Sequence, residues 1–108
     1  MLDESRYLSL IDIAWRQIEK LFDAVDPDLA EVTNAGDVVT IAYPAGVRCI
    51  INTQRPVRQI WLAARDSAIH FNHDDATGRW LDDRGRAIEL FAYLRTLTKE
   101  LAGIDLPA

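Results

Sequence analysis

Val38-Val39-Thr40-Ile41-Ala42-Tyr43, followed by Pro44-Ala45-Gly46 and then Arg48-Cys49-Ile50-Ile51-Asn52, decides the fold. Val39, Ile41 and Tyr43 alternate with Val38, Thr40 and Ala42, the period of a strand with one face in a core. Pro44-Ala45-Gly46 is a turn signal between two such runs. Gln59 to Ala64, Ile69 to Asn72 and Arg79 to Asp82 repeat the theme, punctuated by Arg65-Asp66-Ser67, Asp74-Asp75-Ala76-Thr77-Gly78 and Asp83-Arg84-Gly85. Connections this short hold no crossover helix, so the strands should run antiparallel.

On both sides of this block the period changes to that of a helix. Leu8, Ile11, Trp15, Ile18, Phe22 and Val25 recur at spacings of three and four, with Asp3 or Ser5 to cap the start and Pro27 to close the segment. Ala87, Leu90, Phe91, Leu94, Leu97 and Leu101 form a second stripe, which Gly103 stops. Helix, strands, helix predicts an α+β fold. It is a two-layer α/β sandwich with the N- and C-terminal helices packed side by side on one face of an antiparallel sheet. At 108 residues, without repeats or a linker, the chain reads as a single domain over 1–108.

The composition, 49% hydrophobic and 27% charged, excludes wholesale disorder. Apolar runs are too short for a membrane span, and the acidic start Met1-Leu2-Asp3-Glu4 lacks the pattern of a signal peptide. The single Cys49 excludes an internal disulfide and Cys-rich metal sites, and it alternates with Ile51 as a core residue does. Together these features predict a cytoplasmic protein. Charge is uneven along the chain. Before Val38, Arg6, Arg16 and Lys20 face a large excess of acids. From Val38 to Arg65 there are only arginines: Arg48, Arg55, Arg58 and Arg65. The net charge of -5 argues against a nucleic-acid partner.

Familiar catalytic signatures are missing, so the chain does not read as an enzyme. Two surfaces carry the remaining chemistry. At about 100° per residue, Asp12, Glu19, Asp23 and Asp26 fall within about 60° of one another on the first helix, and Asp28 and Glu31 extend the strip. Clustered carboxylates are hard oxygen ligands for Fe²⁺, Fe³⁺, Mn²⁺ or Ca²⁺, and they also suit a basic partner. From the pattern alone a solvated polar face is favoured, because Arg16 falls inside the strip. The second surface is around Trp61. Period two puts Ile60, Leu62 and Ala64 on the core face and Trp61 on the open face, among Asn52, Gln54 and Gln59. That is either an interface anchor or a tryptophan covered by its own loops. His70 and His73 should point to opposite faces of a strand and so should not share an ion.

The run Asn52-Thr53-Gln54-Arg55-Pro56-Val57-Arg58-Gln59-Ile60-Trp61-Leu62-Ala63 resembles the frataxin signature N-x-Q-x-P-x-x-Q-[IV]-W-[LV]-[AS]. His70-Phe71, Trp80, Asp83-Arg84-Gly85 and the closing helix follow in the order of that family, and Trp15, Ile18-Glu19 and Asp23 fit its first helix. The resemblance covers essentially the whole chain and is nearest to bacterial members. It implies an α/β sandwich that acts in iron–sulfur cluster assembly. Iron, Fe²⁺ or Fe³⁺, would be bound weakly on an acidic ridge of the first helix and first strand. Partners would be the cysteine desulfurase and the iron–sulfur scaffold protein. By position, the ridge is Glu19, Asp23, Asp26, Asp28 and Glu31, and the docking surface is Asn52, Gln54, Gln59 and Trp61. Lys20, Ala24 and Leu29 stand where bacterial members are commonly acidic. The resemblance also admits an adaptor whose acids serve docking alone, or an iron-oxidising protein. It further implies a monomer in the absence of iron.

Overall fold

The structure is a computed structural model describing residues 2–107. Met1 and Ala108, the ends of the expected domain, lie outside the described residues. The chain runs α1 (Glu4–Leu21), β1 (Glu31–Asn34), β2 (Val38–Ala42), β3 (Arg48–Gln54), β4 (Gln59–Ala64), β5 (Ser67–Asp74), β6 (Arg79–Asp82) and α2 (Leu90–Ala102). The strands form one antiparallel meander in sequence order. This is the α+β sandwich that the two periods predict.

One sheet face carries Val39, Ile41, Cys49, Ile51, Ile60, Leu62, Ala64, Ile69, Phe71 and Trp80, all buried. Against them α1 places Tyr7, Ile11, Ala14, Trp15 and Ile18, and α2 places Leu90, Leu94 and Leu97. Both helices thus cover the same face. Asp3 caps α1 by accepting a hydrogen bond from the Arg6 N–H at 2.8 Å. Trp15 is buried, and its indole N–H donates to the Gly36 carbonyl at 2.6 Å, tying α1 to the β1–β2 turn. Tyr43 and Thr98 share a buried hydroxyl hydrogen bond of 2.7 Å between the end of β2 and α2.

Three local expectations differ from what forms. The apolar stripe of the first segment runs on to Val25, but α1 ends at Leu21, well before Pro27. From Asp23 the chain tightens into bonds from Asp23 N–H to Lys20 O and from Val25 N–H to Phe22 O, which keep Phe22 buried without continuing the helix. The second helix starts at Leu90 rather than Ala87, which has φ 58°. The buried Asp82 carboxylate collects the N–H groups of Arg84, Arg86 and Ile88, which winds that stretch into a loop, and Glu89 caps the helix through Phe91 and Ala92. The polar strand β1 carries no alternating signal, and it forms by pairing with β2, Glu31 opposite Ala42.

Burial alone would raise the Asp82 carboxyl pKa. The hydrogen bonds from Ile88, Arg86 and Arg84 outweigh it and hold the value below the usual carboxylate range. A depressed folded-state value stabilises the protein above the unfolded carboxylate range and is lost as pH falls below about 4. The urea midpoint should therefore drop between pH 5 and pH 3. Asp82→Asn should lower the midpoint at pH 7 and flatten the acid-induced drop. Trp15→Ala should cost about 3–5 kcal/mol, and Trp15→Phe, which keeps packing but orphans the Gly36 carbonyl, about 1–3 kcal/mol. Urea unfolding followed by circular dichroism checks both.

Candidate functional site

Two outer surfaces carry the candidate residues. The first lies at the end of α1. Glu19 is on the last turn of α1, Asp23, Asp26 and Asp28 are in the connection to the sheet, and Glu31 opens β1; all five are exposed. The helical strip therefore holds for Asp12 and Glu19 only. Asp23 and Asp26 lie beyond the helix end, where the chain turns, and Asp12 is paired with Arg16 at 2.9 Å. Glu19, Asp23 and Glu31 line one shallow hollow of about 380 Å³ over Phe22 and Val32. Asp23 and Asp26 also border a second, of about 480 Å³, with Lys20, Leu29 and the segment Ile104 to Pro107. Glu19 Oε1 accepts from Asn34 Nδ2 at 3.3 Å, and Asp26 Oδ1 accepts from the Asp28 N–H at 2.9 Å. Among the described residues no three acidic, histidine or cysteine side chains converge as a metal cage would. The ridge is an open array of oxygen donors.

The second surface is the uncovered face of the sheet. The β3–β4 register places Asn52 opposite Trp61 and Gln54 opposite Gln59. These residues are half-buried, whereas Ile60 and Leu62 between them are fully covered. Ile50, at 44% exposure, stands beside them, and with Asn52, Trp61, Ala63, Ala68 and His70 it borders a hollow of about 260 Å³. The four docking candidates are thus brought together on one plate, as alternation predicts.

The plate has members that the sequence pattern did not single out. His70 stacks on Trp61 with ring centroids 4.0 Å apart and planes 12° from parallel. The Trp61 indole N–H donates to Gln59 Oε1 at 2.8 Å, and the Gln59 amide donates to Asn72 and Asp83 at 3.1 and 3.2 Å. Counting outward from the two-residue turn Arg65-Asp66 puts His70 opposite Trp61 and Asn72 opposite Gln59, a signal the sequence does contain.

His73 faces the other way, as expected. It packs edge-on against Trp80 at 5.1 Å and meets Asp75 at 2.8 Å. That hydrogen bond, with Arg6 adding to it, holds the Asp75 carboxyl below its usual range. Cys49 is fully buried, and burial pushes its thiol up to about 12.

Fold and surfaces define a two-layer sandwich of the frataxin type, with its polar groups on the outside. Residues 1–104 match the Frataxin-like domain family model. The chain is 38% identical over 104 residues to the iron–sulfur cluster assembly protein CyaY of Pseudomonas aeruginosa, covering 96% of this chain and 94% of that one. It is 34% identical over 105 residues to the CyaY of Pseudomonas fluorescens, covering 97% and 94%. The fold matches frataxin of Psychromonas ingrahamii with a TM-score of 0.88 at 24% identity, covering 97% of this chain and 96% of that one. It also matches trimeric frataxin from the yeast Saccharomyces cerevisiae, complexed with ferrous iron, with a TM-score of 0.69 at 25% identity, covering 96% and 89%. The chain belongs to the frataxin family.

The buried, raised thiol makes a simple forecast. Cys49 should resist a maleimide at pH 7.5 in the native protein and label fully in urea, as intact-mass spectrometry reads directly.

Proposed function

We propose that this chain, acting as a single frataxin-like domain over 1–108 in the cytoplasm, is a non-catalytic, iron-binding regulator of iron–sulfur cluster assembly. What carries the reading is the near full-length match to relatives named for iron–sulfur cluster assembly. A solved family member complexed with ferrous iron supports iron as the cargo. Fe²⁺ or Fe³⁺ is held by Glu19, Asp23, Asp26, Asp28 and Glu31. Their exposure and open spacing favour weak, exchangeable binding, since each oxygen donor competes with water. The chain is a monomer without iron. It docks on the cysteine desulfurase and the scaffold protein through the ridge and through Asn52, Gln54, Gln59 and Trp61. The ridge acts at long range, screened over about 10 Å at 0.1 M salt, and so governs association. The Trp61 plate acts at contact and governs residence time.

Replacing Glu19 with Gln and Asp23 and Asp26 with Asn together should weaken iron binding in an anaerobic Fe²⁺ titration. The fold should stay intact, and its stability should be unchanged or slightly raised as like-charge repulsion is relieved. An unchanged titration would remove the ridge as the iron site. In surface-binding kinetics with the desulfurase–scaffold assembly, the same triple variant should associate more slowly at low salt only. Trp61→Ala should dissociate about tenfold faster or more at any salt.

A further inference from the structure

The open face of the sheet carries more structure than a docking surface needs for contact alone. A solvent-facing tryptophan on a strand ordinarily samples several rotamers, and fixing one costs entropy on binding. Trp61 is held from two sides. Gln59 Oε1 accepts its N–H at 2.8 Å, which sets the tilt of the indole. His70 lies flat on it at 4.0 Å, which sets its plane. Gln59 cannot turn its amide over without losing Asn72 at 3.1 Å and Asp83 at 3.2 Å. His70 is anchored in turn. Its Nδ1 stands 3.5 Å from Asp83 Oδ2, and its backbone carbonyl accepts from the Asp83 N–H at 2.8 Å. Asp83 thus fastens both supports of the indole from the loop after β6.

We propose that His70 and Asp83 are positioning residues that, with Gln59, lock Trp61 in its docking orientation. This rests on the reading of the Trp61 plate as a docking surface. The imidazole presents a flat face to the indole and an edge to Asp83, so one side chain fixes the plane of Trp61 and is itself fixed from the loop after β6. Among the described residues Asp83 is the only ion-pair partner of His70. An indole already held in its bound orientation loses less freedom when a partner seats on it.

The test has two arms. In the free protein, ¹⁵N-labelled tryptophan gives three indole N–H signals, with Trp15, bonded to Gly36, as a fixed reference. The heteronuclear NOE of the Trp61 indole should match that of Trp15 in the parent, fall in His70→Ala and in Asp83→Ala, and recover in His70→Phe, which restores a flat ring on the indole. A Trp61 NOE that is already low in the parent, or unchanged in both alanine variants, overturns the proposal. In the second arm, His70→Ala should bind the purified scaffold protein about two- to fivefold more weakly than the parent, and His70→Phe should bind like the parent. If the Trp61 NOE behaves as described but Trp61→Ala binds the scaffold like the parent, the positioning stands and the docking reading fails.

Discussion

The hydroxyl of Tyr7 holds the molecule in register. It donates to the Gln59 carbonyl at 2.6 Å and accepts from the Gln54 N–H at 3.2 Å, so one side chain from the first turns of α1 closes the hairpin between β3 and β4. Side chains on a strand alternate faces, so a slip of one residue would exchange the two faces. Ile60 and Leu62 would go to water, and Gln59 and Trp61 would go into the core. Tyr7 is fully buried, and burial raises its hydroxyl above the ordinary value, so it stays a neutral donor. The helix layer therefore does more than cover the sheet. It fixes which residues the sheet presents on the far side.

That constraint explains how the two candidate surfaces can differ so much on a small body. The plate consists of residues excluded from the core by alternation alone, and its middle is amide and aromatic rather than charged. The ridge is where the chain leaves α1, and residues in a connection are free to be polar because neither helix nor sheet buries them. Arg55, at the other end of the plate, is paired with Asp37 at 3.3 Å, which leaves the plate without an unbalanced charge at that corner. The charged surface and the amide-and-aromatic surface are thus built from separate residues.

The strand block and both apolar stripes were legible because burial on one face leaves a period, and the period survives in Val39, Ile41, Cys49, Ile51, Ile60 and Leu62. The placement of Trp61 followed from the same arithmetic. What stayed hidden was set by hydrogen bonds rather than by burial. Nothing in the spacing of Asp82 announces that its carboxylate gathers three backbone N–H groups and delays α2 to Leu90. The stripe through Val25 promised a longer α1, because Phe22 and Val25 still face the core from a turn that is no longer helical. The acids could be placed on a common flank, but the hollow that Glu19, Asp23 and Glu31 share depends on that turn.

The ridge also answers a problem that an open meander creates. A sheet of six strands has two free edges, and an unprotected edge invites another chain to pair with it. At one edge β6 is covered, since Leu81 bridges to Glu89 at the entrance of α2. At the other, β1 has only four residues, and it carries Glu31 at its start and Asn34, bonded to Glu19, at its end. Short length and a carboxylate on the edge both discourage edge-to-edge pairing. Glu31 therefore stands where its charge serves the architecture as well as the ridge, and Glu19, through Asn34, holds β1 to the helix layer. Glu31 is exposed because an open edge is protected by a charge, and Glu19 stays at the surface of α1 to meet Asn34, so the polarity of both follows from closing this side of the sheet.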